Sequence, residues 1–216
     1  MIKRLLVIAA LVLVPALARA AEPLLEQPRW SLEVKGGFFY PDFDNWETFY
    51  GSKRTGHFAG SLAYKIFSNL EAGVEGGYIS DKGRGFAPQH GVLTGAVKYE
   101  LAPIHAFVLF RGMFSERQLL APYAGGGWTR MYYREKVENQ DEVRGSVDGY
   151  HARAGLQLLL DNIDASAANS FYLDYSVQHT YLFVEAQYIR AMIEDVSGAS
   201  VNLGGTSYLA GFLFEF

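Results

Sequence analysis

Segments of about ten residues in which apolar and polar side chains alternate recur along most of this chain, and that pattern constrains its fold more than any other feature. Trp30 to Tyr40 puts Trp30, Leu32, Val34, Phe38 and Tyr40 on one face and Ser31, Glu33 and Lys35 on the other. Phe58 to Phe67 opposes Phe58, Leu62, Tyr64 and Ile66 to His57, Ser61 and Lys65. Leu70 to Ile79 opposes Leu70, Ala72, Val74 and Tyr78 to Glu71 and Glu75. Tyr123 to Tyr133, Tyr150 to Leu160, Leu182 to Tyr188 and Tyr208 to Phe216 continue the period. Roughly ten residues is the length a tilted strand needs to cross a bilayer.

The stretch from Leu93 to Met113 is longer and less regular. Leu93, Val97, Tyr99 and Leu101 oppose Thr94, Lys98 and Glu100, and Pro103 then interrupts. Proline is confined to edges or bulges within sheets, so one long strand bulged at Pro103 is expected. Two separate strands would make nine, an odd number that single-chain bacterial barrels avoid. The reading is therefore all-β: an eight-stranded antiparallel up-and-down transmembrane β-barrel.

The first twenty residues read as a cleaved signal peptide rather than fold. Lys3 and Arg4 precede the apolar run Leu5 to Val14, and Ala18-Arg19-Ala20 fits a small-x-small cleavage site. Residues 21–216 would then form the barrel domain. Removing Lys3, Arg4 and Arg19 leaves 16 basic residues against 23 acidic, a formal charge of −7, which argues against nucleic acid as a partner. There is no cysteine, so export does not bring a disulfide framework. Beyond the signal no apolar run approaches the roughly 18 residues of a spanning helix. A soluble β-sandwich would also alternate, but it exposes polar outer faces, whereas here one face of every segment is strongly apolar. Aromatics such as Trp30, Tyr40, Tyr78, Tyr132 and Tyr208 also gather near segment ends, as interfacial girdles do.

Loops at Asp42 to Thr55, Ser80 to His90, Arg134 to Val147 and Ile193 to Thr206 alternate with Ser68-Asn69, Ser115 to Pro122 and Asp161 to Gln178. With a periplasmic N-terminus the first set is extracellular. The long last periplasmic turn is expected to hold a short helix in its Ala-rich Ile163 to Asn169.

If the apolar faces meet lipid, the polar faces meet one another. That assigns Glu33, Lys35, Lys65, Glu71, Glu75, Lys98, Arg111, Arg153 and Glu185 to a lumen charge network, with Gln187 and His151 as further lumen polar groups. An eight-stranded barrel is barely wider than its side chains, so these charges must pair. Phe107 and Leu109 fall on the same face near Arg111, either as filled core or as a small apolar patch. No G-x-S-x-G motif or serine–histidine nucleophile arrangement occurs, and no residue set has metal-ligand spacing. The chain is expected not to be an enzyme and to carry no catalytic residue, metal or cofactor.

GYHARAGLQLLLDNIDASAANSF, HTYLFVEAQY and SYLAGFLFEF together resemble an outer-membrane β-barrel domain family of myxobacteria and related delta-group bacteria. RWSLEVKGGFFYPDFDN and LAPYAGGGW are similar to its first strand and to a glycine-rich strand start. More distantly the layout is similar to OmpA, OmpX and OmpW. The family resemblance implies outer-membrane location without a known substrate. The OmpW-like resemblance implies, as an alternative, a passive channel for small hydrophobic or polar solutes; a lipid-modifying enzyme is the remotest reading. Tyr208, Gly211, Phe212, Phe214 and Phe216 resemble the C-terminal signal read by the barrel-assembly machinery. The expected partners are outer-membrane lipid, that machinery during biogenesis and an unknown surface ligand, and the expected role is structural or surface-interacting with a largely closed lumen.

Overall fold

Alternating sequences leave one apolar and one polar face on each strand, and closing the sheet on itself hides every edge. The computed structural model describes residues 28–42, 46–47, 51–86, 93–115, 118–137, 142–194 and 200–216; the expected signal peptide lies outside them. The strands are β1 (Trp30–Pro41), β2 (Thr55–Phe67), β3 (Leu70–Phe86), β4 (Leu93–Arg111), β5 (Leu120–Val137), β6 (Val143–Leu159), β7 (His179–Glu194), β8 (Ser200–Asn202) and β9 (Gly205–Glu215). The helix α1 (Ala165–Tyr175) lies between β6 and β7.

Consecutive strands pair antiparallel, and β9 pairs with both β7 and β1, so the sheet is a closed barrel. β8 continues the β7 register of β9, with Met192 opposite Asn202 and Ile189 opposite Gly205, so the two short strands form one stave and the barrel has eight. The Asn202 side chain bridges the break by accepting from the backbone N–H of Ala191 and Gly204 at 2.9 and 3.1 Å.

The register fixes the barrel's width. Stepping from Ser31 to its neighbours Ala63, Gly73, Phe107, Gly127, His151, Ile189 and Gly205 returns to β1 at Pro41, ten residues from the start. That stagger over eight staves corresponds to a strand tilt of ~40° and a radius of ~8 Å at ordinary strand spacings. Such a bore holds side chains and little else.

Strands extend further than alternation suggested. Ser80 to Phe86, Arg134 to Val137 and Val143 to Val147, expected as loop, continue the β3–β4, β4–β5 and β5–β6 ladders. The expected bulge at Pro103 is corrected. Gly76 pairs with Ile104 and Ile79 with Leu101 in one register, and the break in this ladder falls instead between Arg84 and Gly85. Pro103 costs its own donor but needs no extra residue, because the Gly77 opposite leaves its ring room: a Cβ there would lie 3.0 Å from Pro103 Cγ.

The expected helix begins later and runs longer than Ile163 to Asn169. Asp164 caps it by accepting from the N–H groups of Ser166 and Ala167, and Ser176 ends it in a left-handed conformation, φ 59°. Asp161 ties its approach to β7, accepting from Thr180 N–H at 3.0 Å and standing 2.8 Å from His179 Nδ1. None of its residues is buried.

The outer wall carries Trp30, Val34, Phe58, Val74, Trp128 and Val184, all well exposed. The interior carries ion pairs. This is the reverse of a water-soluble protein, and it is the arrangement hydrocarbon requires.

Candidate functional site in the charged lumen

The inward-facing residues of β4 pass through every layer of the interior: Arg111, then Leu109 and Phe107, then His105, then Leu101 and Tyr99. Each layer is completed by strands whose register brings them to the same height.

At the end of the barrel where β1 starts and β9 ends, Arg111 stands between two carboxylates. Its NH1 donates to Glu71 Oε1 at 2.7 Å and to Glu215 Oε1. Lys65 Nζ reaches the same Glu215 oxygen at 2.7 Å, and Ser31 Oγ donates to Glu71 Oε2 at 3.1 Å. The Arg111 guanidinium lies 5.0 Å from the centre of the Tyr181 ring. Two cations therefore face two carboxylates.

Above it lies an apolar layer of Ala63, Phe107, Leu109, Tyr123, Leu159, Tyr181, Phe183 and Leu213. Phe107 and Leu109 are thus buried members of this core layer.

The second ion cluster rests on this layer. Lys35 Nζ is 2.7 Å from Glu75 Oε2 and 2.7 Å from Glu185 Oε1. Arg153 NH1 is 3.0 Å from both Glu33 Oε2 and Glu75 Oε2, and 3.5 Å from Glu185 Oε2. Its guanidinium stacks 4.0 Å above the Phe107 ring. Ser61, Gln187 and Tyr123 donate to Glu33, Glu75 and Glu185 at 2.7, 2.9 and 2.9 Å. Three carboxylates here meet two cations, a formal excess of one negative charge.

Three buried histidines follow. His105 and His151 both approach Thr129 Oγ1, at 2.8 and 3.0 Å, with their rings 4.3 Å apart, and His57 Nδ1 meets Ser207 Oγ at 2.8 Å. His105 Nε2 is 3.9 Å from Glu75 Oε1. An apolar cap of Phe39, Trp46, Ile79, Tyr99, Leu101, Met131, Ile189 and Ala191 fills the opposite end. No group of three or more histidine or acidic side chains that could hold a metal occurs among the described residues.

Of the residues assigned to the lumen by alternation, Glu33, Lys35, Glu75, Arg153 and Glu185 meet in one cluster, and Lys65, Glu71 and Arg111 in the other. Lys98 does not join them. It faces outward, 2.6 Å from Glu100, with its side chain 42% exposed. The alternation is continuous through β4, but its meaning reverses: in the membrane zone the apolar face is outside, and above it the apolar face (Tyr99, Leu101) fills the cap. Glu215 joins the lower cluster; its place on the polar face of the last segment was the available signal. The roles of Tyr123 and His57 had none, because their partners Glu185 and Ser207 lie two strands away, and His105 meets Thr129 directly opposite on β5, a pairing that only the register reveals.

Of the C-terminal residues, Tyr208, Phe212 and Phe214 face out, while Gly211 sits opposite Lys35. Phe216 closes the seam: its N–H donates to Trp30 O at 2.9 Å, and its O accepts from Trp30 N–H at 3.1 Å.

Tyr123 owes its position to a missing side chain. A Cβ at Gly155 would lie 2.6 Å from the Tyr123 hydroxyl oxygen. Tyr123→Phe is expected to cost about 1.5–3 kcal/mol, the range for a hydrogen bond to a charged group. Gly155→Ala should cost at least as much by evicting the ring. Urea midpoints of the refolded variants in detergent check both, and equal midpoints for wild type and Tyr123→Phe would remove the hydroxyl's role.

No protein-family model matches the chain, and no curated protein matches it. Solved structures do. Among them is the outer membrane protein OprG from Pseudomonas aeruginosa, with TM-score 0.60 at 13% identity over 88% of this chain and 97% of that one. Neisserial surface protein A gives 0.54 at 15% identity, over 87% and 97%. The N-terminal β-barrel domain of Pseudomonas aeruginosa OprF gives 0.51 at 14%, over 88% and 98%. The fold is that of the small eight-stranded outer-membrane barrels.

Proposed function

We propose that this chain is an integral outer-membrane β-barrel protein with a charge-paired, closed lumen and a structural or surface-interaction role. The observation that carries the reading is the stack of filled layers: two buried ion clusters, separated by one layer of aromatic and aliphatic side chains and capped by a second. A solute would have to displace charged side chains whose partners would then stand uncompensated. The apolar outer wall and the fold shared with outer-membrane barrels support the location. The signal-like first twenty residues support export through a cleaved leader, and the aromatic C-terminal strand supports assembly by the barrel machinery. Membership in the delta-group family rests on the motifs of the last third and belongs to the same proposal.

Purified, refolded protein in planar bilayers is expected to give no reproducible single-channel steps, and liposomes carrying it should swell no faster than empty ones across a panel of small polar and hydrophobic solutes. Reproducible conductance or solute-dependent swelling would replace this reading with the passive channel.

A further inference from the structure

The outward position of Lys98 exposes a feature that neither the lumen nor the lipid-facing wall explains. Lys82 of β3 lies directly opposite Lys98 of β4, and Lys98 directly opposite Lys136 of β5. Two residues nearer the membrane zone on β5, Arg134 lies opposite Arg144 of β6. Like charges directly opposite on adjacent strands repel, and a sheet does not gain by placing five cations in two such rows. The chain as a whole is acidic, with formal net charge −4, so the rows run against its composition.

Acidic neighbours offset part of the patch. Glu100 takes Lys98 at 2.6 Å and Arg134 at 3.6 Å, and Glu142 takes Arg134 at 2.6 Å. The hydrogen bond from Lys98, then that from Tyr78, holds the Glu100 carboxyl below the usual range, so both acids are ionised at neutral pH. Among the described residues of this outward face, five cations against two carboxylates leave a formal surplus of three. An open cleft lined by Tyr132, Arg134, Glu142, Arg144 and Ser146 adjoins the rows.

The height of the patch selects the ligand. Tyr132 is exposed on the outer wall. Arg134 and Lys136 are two and four residues beyond it, which at the strand rise and a 40° tilt is ~5 and ~10 Å further from the bilayer centre. That is headgroup depth if Tyr132 marks the aromatic girdle.

We propose that this outward basic face, Lys82, Lys98 and Lys136 with Arg134 and Arg144, binds the phosphorylated headgroup of a lipid in the outer leaflet. The proposal rests on the membrane reading of the barrel wall. A phosphate bridging opposed lysines converts their repulsion into charge-assisted hydrogen bonds, and the Arg134–Arg144 cleft offers a second anion a planar donor face. A lipid held there would pack its chains down the apolar wall below.

The test uses refolded full-length protein in phosphatidylcholine nanodiscs doped with diphosphoryl lipid A, with bound glycolipid measured by native mass spectrometry. Heat-modifiability on gels and flotation with vesicles report folding and insertion separately, so failure of the membrane reading is distinguishable from failure of this site. Wild type is expected to retain the diphosphoryl lipid. Lys82→Gln/Lys136→Gln/Arg144→Gln should weaken retention by about a hundredfold, at the scale of one basic residue near an anionic surface for each charge removed. The charge-matched control Arg29→Gln/Lys53→Gln/Arg54→Gln should leave it unchanged, and monophosphoryl lipid A should bind more weakly than the diphosphoryl form. Retention unchanged in the patch variant, or lost equally in the control, overturns the proposal. Displacement of the lipid by millimolar inorganic phosphate at unchanged ionic strength overturns the lipid assignment in favour of a free-phosphate site.

Discussion

Lys35→Met is expected to destabilise the barrel by about 3–5 kcal/mol, the range for removing one partner of a buried ion pair. The cause is charge imbalance more than a lost bond. Lys35 touches Glu75 and Glu185 at 2.7 Å, and its loss leaves three buried carboxylates facing Arg153 alone. The same arithmetic gives a near-neutral result for Glu185→Gln. That change removes the surplus carboxylate while keeping an amide able to meet Tyr123 and Lys35, so its effect should lie within about 1 kcal/mol of zero, as replacing rather than orphaning buried charge allows. The double variant Lys35→Met/Glu185→Gln should recover at least half the loss, a coupling expected of residues sharing one network. Equilibrium urea unfolding in detergent, followed by tryptophan fluorescence, measures all three. A Lys35→Met protein unfolding at the wild-type midpoint would mean that water reaches the cluster and that the lumen is not sealed.

Phe39→Ala is expected to cost a comparable amount, about 3–5 kcal/mol, by opening a cavity in the apolar cap. Phe39 is fully buried among Ile79, Leu101, Met131 and Ile189, with its ring edge-on to His57 at 6.3 Å. The location of the damage distinguishes this variant from the first. The cap holds the β3–β4 and β5–β6 extensions together above the membrane zone, whereas the ion clusters lie below it. Limited proteolysis of vesicle-inserted Phe39→Ala should therefore cleave within residues 80–97 and 134–147 at protease levels that spare wild type. The heat-modifiable gel shift of the barrel should persist. Loss of that shift at ordinary temperature would show that the cap and the membrane zone unfold as one unit.

These effects differ in how far they could be read before the fold was known. The aromatic ending, the ten-residue alternations and the inward faces of β1, β2, β3, β6 and β7 were legible, because a side-chain period of two is a local property of extended backbone. So was the need for lumen charges to pair, which follows from a narrow bore. The pairings themselves were not legible. Lys35 and Glu185 are 150 residues apart, and Arg111 and Glu215 are 104 apart. They meet only because the closed barrel's ten-residue stagger sets which side chains share a height.

By itself, then, the sequence determined that the chain forms strands, that each has two unlike faces, and that the set closes. The tertiary structure alone decided where along a strand the inward face changes from polar to apolar. Along β4 the alternation is unbroken, yet Phe107 and Leu109 sit beneath an ion cluster, and Tyr99 and Leu101 fill an apolar cap that sends Lys98 and Glu100 outward. Periodicity records that two faces differ. Which one turns inward depends on whether that stretch of strand stands in hydrocarbon or in water, and only the assembled barrel fixes the height at which one gives way to the other.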